Sequence, residues 1–270
     1  MQTQDLFNRK TTIYPDTPLN EPLPASGQAN PLSRYSLTGS SDELEKKRLD
    51  EVFVLADIAL LGQATVLYAA PNCGKTLAVL SLITDAIAEN RIDAHHLFYI
   101  NADDYFSGLI EKVKIAEKFG FHMIGEGYRD FRAENLLGLQ QAMIDSDTAA
   151  GSVVILDTTK RFTDLMSKKV VSTFTALNRR FVSQGGTVIA LAHVNKKKGD
   201  NGKSVYAGTS DIIDDFDCAY VIEVLDDGTE SGKRVIAFEN LKSRGSVEAK
   251  VYFSYMSPDC VSGYTELLES

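Results

Sequence analysis

Cysteine, proline and net positive charge are all scarce in this sequence, and each shortage narrows what it can be. The three cysteines, Cys73, Cys218 and Cys260, are scattered and show no metal-ligand spacing. Such a set argues against a disulfide framework and points to a reducing, cytoplasmic setting. Five of the seven prolines (15, 18, 22, 24 and 31) fall in the first 31 residues, leaving Pro71 and Pro258 for the rest. Acidic residues outnumber basic ones 37 to 28, a net charge of −9. This excludes a general polyanion binder, so any nucleic-acid contact must come from a local basic patch. No apolar run reaches membrane-spanning length, and the opening Met-Gln-Thr-Gln-Asp-Leu-Phe lacks the apolar core of a secretory signal. The expectation is a soluble cytoplasmic protein with no membrane partner. What is present is an ordinary globular balance: 270 residues, 44% hydrophobic and 24% charged, enough for one large domain or two small ones.

Residues 1–40 are rich in proline, serine, asparagine, glutamine and threonine, have no amphipathic period and bury little. They read as a flexible tail or as an arm that orders against a neighbouring subunit. A charged helix is expected over Glu43–Asp50, capped by Ser40 or Ser41, and residues 41–270 are read as one domain. From residue 51 the pattern is α/β. Short apolar strands (Thr65–Tyr68, Leu97–Ile100, Phe121–Ile124, Gly151–Asp157, Thr187–Ala192) alternate with helical segments (Leu77–Ala88, one around residues 109–119, Glu134–Ile144, Val170–Val182). That alternation predicts a mainly parallel sheet with helices on both faces. The helix over 109–119 is read with Leu109, Val113, Ala116 and Phe119 on its apolar face and Glu111, Lys112 and Lys114 on its polar face. Beyond Asp217 the helices stop, and Ala219–Val224, Arg234–Glu239 and Val247–Tyr255 are expected to extend the sheet as antiparallel strands.

The organising stretch is residues 64–76, where the apolar run Thr65–Tyr68 meets Ala69-Ala70-Pro71-Asn72-Cys73-Gly74-Lys75-Thr76 and a helix begins. This is the strand–loop–helix of a P-loop, with Ala69 in place of the first glycine. Backbone N–H groups at a helix start suit phosphate. Ala70, Pro71, Asn72, Cys73, Gly74, Lys75, Thr76 and Leu77 are therefore the candidate nucleotide-binding residues. Lys75, expected to face solvent without ligand, would reach the β/γ-phosphates of ATP, and the Thr76 hydroxyl would bind Mg²⁺.

Three further strand ends carry candidates, because ligands of open α/β sheets gather there. Asp157 closes the apolar run Val153–Leu156 and is the candidate Walker B carboxylate, a second Mg²⁺ partner with Thr76. Asp103 and Asp104 follow the strand before it; a carboxylate here can position or deprotonate the attacking water, or simply cap the next helix. Asp103 is preferred. His193 ends another buried run, where it would sense the γ-phosphate or serve as a structural hydrogen-bonder. His95, His96 and His122 have no partner pattern. Residues 195–203, Asn-Lys-Lys-Lys-Gly-Asp-Asn-Gly-Lys, form a basic loop, read either as a mobile DNA contact coupled to His193 or as a solvated surface loop. Asp211, Asp214, Asp215 and Asp217 read as a helix face or capping cluster. Lys242 and Arg244 flank Ser243, so in extended chain both point to one side. They are either a cation pair aimed at a neighbour's phosphate or exposed hairpin charges.

In order and spacing these motifs resemble the RecA-like P-loop ATPase superfamily over roughly residues 50–256, nearest to plasmid RepA and the DnaB-type hexameric replicative helicases. The resemblance rests on Ala69–Thr76, Asp103, Asp157, His193-x-Asn195-Lys196, Gly208-Thr209-Ser210 and Lys242-x-Arg244-Gly245. It implies a RecA core, an ATPase using ATP and Mg²⁺, and a homo-oligomeric ring of six subunits. The implied role is movement on, or remodelling of, single-stranded DNA during replication as a helicase, alongside other replication proteins. In the family the early carboxylate is usually glutamate and catalytic, so Asp103 departs from it. The strand-end Gln or His senses the γ-phosphate, and the Lys/Arg pair acts across the subunit interface. The length matches the compact RepA type better than chains with an added N-terminal domain. Alternatives are a RecA/RadA- or KaiC-like recombination or regulatory ATPase, and a weakly hydrolysing ATP-gated assembly protein. No transporter signature precedes Asp157, and the loop lacks the Lys-Gly-Gly start of partitioning ATPases.

Overall fold

The computed structural model describes residues 30–47, 51–104, 106–162, 168–198, 204–206, 210–230 and 232–256. The chain divides into two compact units, Met1–Arg48 and Leu49–Ser270. In the first, a 3₁₀ turn over Pro31–Tyr35 is capped by the Asn30 side chain, which accepts from the Leu32 N–H. Helix α1 spans Ser41–Lys47, beginning two residues before the expected Glu43. The tail or arm expected over 1–40 lies outside the described residues up to position 29.

The second unit is an α/β sandwich. Its elements in order are β1 (Phe53–Leu55), β2 (Ala59–Leu60), β3 (Ala64–Ala69), α2 (Lys75–Ala88), β4 (Leu97–Asn101), α3 (Phe106–Phe119) and β5 (His122–Gly125). Then come α4 (Leu136–Asp145), β6 (Val153–Asp157), α5 (Lys168–Ser183), β7 (Thr187–Lys198), β8 (Ser204–Tyr206) and α6 (Ser210–Asp215). The last three are β9 (Cys218–Asp227), β10 (Lys233–Lys242) and β11 (Lys250–Met256). Strands β1 and β2 form a small ribbon; the main sheet runs β11-β10-β9-β3-β7-β6-β4-β5, with β8 paired to β7. From β9 to β5 every neighbour is parallel, while β10 and β11 add antiparallel. The expected α/β architecture is thus present as a mixed, mostly parallel sheet.

The reason is covering on both faces. All six residues of β3 and all five of β6 are buried, as continuous apolar strands require. Alternate side chains go to opposite layers. Leu67 and Ile155 pack with Val79, Ile83 and Ile115 of α2 and α3. Val66, Val154 and Leu156 pack with Leu136, Phe174 and Phe181 of α4 and α5. Among the described residues no helix is long and apolar enough to cross a membrane.

Three expectations need correction. Strand β9 is parallel to β3, so the antiparallel addition begins only at β10. Strand β7 does not stop at Ala192 but runs to Lys198, pairing with β8 at Val194↔Tyr206 and Lys198↔Ser204. Cross-strand pairing there overrides the loop-like composition of Asn195–Lys198; residues 199–203 of the expected basic loop lie outside the described residues. Finally, Lys112 is not on a polar face: it is 2% exposed. It stands three residues after Leu109 and four before Ala116, inside the apolar stripe of α3, and its long stem carries the ammonium past the helix to the strand ends.

Candidate functional site

The carboxyl ends of four parallel strands come level with one another. Register pairs Ala69 with His193, Asp157 with Leu191, and Asn101 with Asp157, so the loops after β3, β4 and β6 open on one edge with His193. The loop after β3 turns through Asn72 (φ 61°) and Gly74 (φ 89°) into α2. A Cβ at position 74 would sit 2.5 Å from the Tyr255 hydroxyl, so the left-handed φ and the close approach both favour glycine. Ala70, Pro71 and Asn72 are exposed, whereas Cys73 is buried and Leu77 half-buried. Burial pushes the Cys73 thiol above its usual range despite Lys75 and Arg234 nearby.

Lys75 is 6% exposed rather than solvent-facing. Its ammonium donates to the Ala192 carbonyl at 3.3 Å. Burial lowers its pKa, opposed by the charge of Asp157. Thr76 Oγ1 donates to Asp157 Oδ2 at 3.1 Å, which joins the start of α2 to the end of β6. Tyr99 Oη donates to the same oxygen at 2.8 Å and Lys112 Nζ at 3.2 Å. Burial alone would raise the pKa of Asp157, but Lys112, Lys75 and Tyr99 together outweigh it and hold the carboxyl below the ordinary range.

The two candidate carboxylates after β4 part company. Asp104 lies 2.5 Å from Lys112 Nζ and accepts from Asn101 Nδ2 at 3.3 Å. Asp103, one-third exposed, faces Lys160 at 3.3 Å and His193 Nε2 at 3.8 Å. The second separation is too long for a hydrogen bond. Burial and the charges of Lys75 and Lys160 lower the His193 pKa, so the ring is neutral near pH 7. His193 Nδ1 and Thr158 Oγ1 are both buried without a hydrogen-bond partner among the described residues, unusual for groups of this kind.

Compared with protein-family models and with curated proteins, the chain matches none.

Lys242 and Arg244 do not join this edge. Strand β10 pairs Lys242 with Ala219 and Arg234 with Asp227. Eight residues of strand, about 26 Å, separate Arg234 from Lys242. Lys242 Nζ donates to the Ile213 and Asp214 carbonyls at 2.8 and 2.6 Å, against the end of α6. Arg244 pairs with Asp217 at 2.9 Å, and Asp217 also accepts from the Ala64 N–H at the start of β3. Asp215 pairs with Arg179 and accepts from Thr175. Part of the expected acidic cluster therefore serves as local anchors.

Sequence reasoning missed three residues of the site. Lys112 carried a signal, a charge within an apolar stripe. Arg234 carried a fainter one: it alternates with the buried Ile236 and Phe238 on one face of β10. Its Nη2 donates to the Asn72 carbonyl at 2.8 Å, and its Nε is buried without a partner among the described residues. Tyr255 had no local signal. It and Leu77 line a cavity of about 560 Å³ that follows α2 from the loop to Glu89 and Arg91, floored by Leu82, Ile236 and Phe253.

The donor set suits an anion bound through a magnesium ion. Magnesium retains several waters and takes one or two protein oxygens plus phosphate oxygens; Asp157 and Thr76 would supply the protein oxygens. Among the described residues no group of three His, Cys, Asp or Glu forms a cage for a metal alone.

Proposed function

We propose that the chain is an ATPase with a RecA-like P-loop core that assembles into a ring, most simply a hexamer, and moves on or remodels single-stranded DNA in replication. The observation that carries this reading is the 3.1 Å bond between Thr76 and Asp157. It brings the residue after a Gly-Lys pair at a helix start against a buried carboxylate at a strand end, the pairing a Mg·nucleotide site needs. The N–H groups of residues 70–77 would hold the phosphates. Lys75 would exchange the Ala192 carbonyl for phosphate oxygen, and Thr76 and Asp157 would hold Mg²⁺. The cavity beside Leu77 and Tyr255 offers room for the nucleoside, and Arg234 adds a cation at the loop. Asp103 is the candidate for orienting the reacting water, and His193 for sensing the γ-phosphate.

The Lys242–Arg244 pair lies too far along β10 to serve its own loop, so a role in hydrolysis requires a neighbouring subunit. The basic run starting at Asn195 on extended β7 is the candidate DNA contact. A second reading, an ATP-gated assembly protein with little turnover, draws on Asp103. It replaces the expected glutamate and stands beside Lys160, which weakens it as a base. Turnover stimulated by single-stranded DNA favours the first reading, and ATP-dependent assembly without turnover favours the second.

The test is Lys75→Ala. The variant should fold, as judged by circular dichroism, and lose ATP turnover by on the order of 10³-fold, the loss expected for a charge-stabilising donor. A folded variant with near-wild-type turnover would exclude the P-loop reading.

A further inference from the structure

A lysine inside the apolar stripe of a helix is costly. Its ammonium must give up water, and isosteric apolar residues in place of a buried ion pair are often neutral or stabilising. Lys112 meets this cost with an arrangement that reaches past its own helix. Its Nζ lies 2.5 Å from Asp104, 3.2 Å from Asp157 Oδ2 and 3.4 Å from Asn101 Oδ1, and 5.7 Å from the centre of the Tyr99 ring. The helix that follows β4 is thereby tied to the ends of both β4 and β6. Among the described residues every side-chain donor to Asp157 (Thr76, Tyr99 and Lys112) meets the same oxygen, Oδ2.

We infer that Lys112 is a positioning residue for the nucleotide site. It fixes Asp157 through Oδ2 so that the second carboxylate oxygen stays available, and it sequesters Asp104 so that Asp103 is the carboxylate of the pair left to act. This rests on the Mg·ATP reading above and deepens it. Without Lys112, Asp104 and Asp157 would be like charges with no cation between them, and among the described residues the Thr76 and Tyr99 hydroxyls would be left to set the rotation of Asp157. The ammonium therefore decides which oxygen of Asp157 and which of two neighbouring aspartates face the ligand.

The experiment compares Lys112→Met, Lys112→Arg, Asp104→Asn and Asp103→Asn. Binding of a fluorescent ATP analogue is measured with Mg²⁺ and with EDTA, alongside kcat and KM. In Lys112→Met the affinity gained on adding Mg²⁺ should shrink by about tenfold, while binding in EDTA stays near wild type. Its kcat should fall by about 10–100-fold, and KM for Mg·ATP should rise in step with the weaker Mg²⁺-dependent binding. Lys112→Arg should recover part of both. Asp104→Asn should lose only a few-fold in kcat, and should cost nothing further in the Lys112→Met background because the two act as one unit. A folded Lys112→Met protein with the wild-type Mg²⁺ gain and kcat would reduce Lys112 to a structural tie and overturn the inference. So would an Asp104→Asn loss as large as that of Asp103→Asn, which needs no lysine variant to fold. Near-wild-type turnover by a folded Lys75→Ala protein would instead undermine the nucleotide reading itself, so the two failures are distinguishable.

Discussion

The two ends of strand β10 treat charge in opposite ways. At its start, Arg234 joins an edge where ionic groups are buried and crowded. Three donors converge on one oxygen of Asp157, and a histidine nitrogen, a threonine hydroxyl and an arginine nitrogen are buried without partners. At its far end, Lys242 and Arg244 are bound to two helix-end carbonyls and to Asp217, and Arg244 is largely exposed. Groups that are fully satisfied within the chain are accounted for by the fold. Buried atoms left unpartnered stand at this edge, but also away from it at Thr65, Gln140 and Asn178, so they point to the candidate loop only together with the convergence on Asp157. The lesson is that a lysine or arginine in the sequence is a weak functional signal until its partners are known.

The sharpest way to break this contrast is Lys242→Ala/Arg244→Ala. If the pair acts on a neighbouring subunit, the variant should bind ATP yet hydrolyse it about 10³–10⁵-fold more slowly, the range for a cation supplied in trans. Mixing it with Lys75→Ala protein should restore some turnover in mixed assemblies. If the pair is only a local anchor, unfolding would shift by about 0.2–1 kcal/mol, as for an exposed ion pair, with turnover unchanged.

Asp103→Asn sharpens the buried end. It should leave ATP affinity unchanged and slow hydrolysis by about 10²–10⁴-fold. Equal rates in wild type and variant would make Asp103 a loop residue and leave the attacking water to another group.

Cys73 tests burial directly. Its thiol is nearly inaccessible and burial keeps it protonated, so a thiol reagent should label it at least about tenfold more slowly in native than in unfolded protein. Fast native labelling, located at Cys73 by mass spectrometry, would mean that the loop opens.

The smallest effect concerns His193. Its pKa in the fold lies below the ordinary 6.5, so as pH falls through 6.5 the unfolded chain takes up a proton before the native ring does. Stability contributed by the neutral ring is therefore present above that pH and lost below it. Between pH 7.5 and 5.5 the wild-type Tm should fall more than that of His193→Gln, by no more than a few degrees. A parallel fall in both proteins would show that the ring is not held neutral.

Much of the fold was legible because buried parallel strands leave continuous apolar runs: Thr65–Tyr68 and Val153–Leu156 are unmistakable, and Asp157 stands out as the carboxylate that ends one. The loop was legible through Gly74-Lys75-Thr76. What escaped depends on distance through space. Lys112 and Arg234 enter the site by long stems from elements far away in sequence, and Tyr255 by pairing of β11 beside β10. The extension of β7 depends on β8, whose pairing no local propensity of Asn-Lys-Lys-Lys announces. The buried state of Lys75 depends on the Ala192 carbonyl, supplied from 117 residues further along the chain.

Strand β10 has a consequence of its own. Laddered to β9 on one side and β11 on the other, it cannot slip by one residue without turning every side chain to the opposite face. It spans from the candidate phosphate loop, at Arg234, to the far corner, at Lys242. In a ring of the proposed kind, each subunit would carry the same internal yardstick from its own nucleotide to the edge it offers its neighbour. A shift at one end would reach the other through a ladder that is irregular between Val235 and Ile236 and between Asn240 and Lys242.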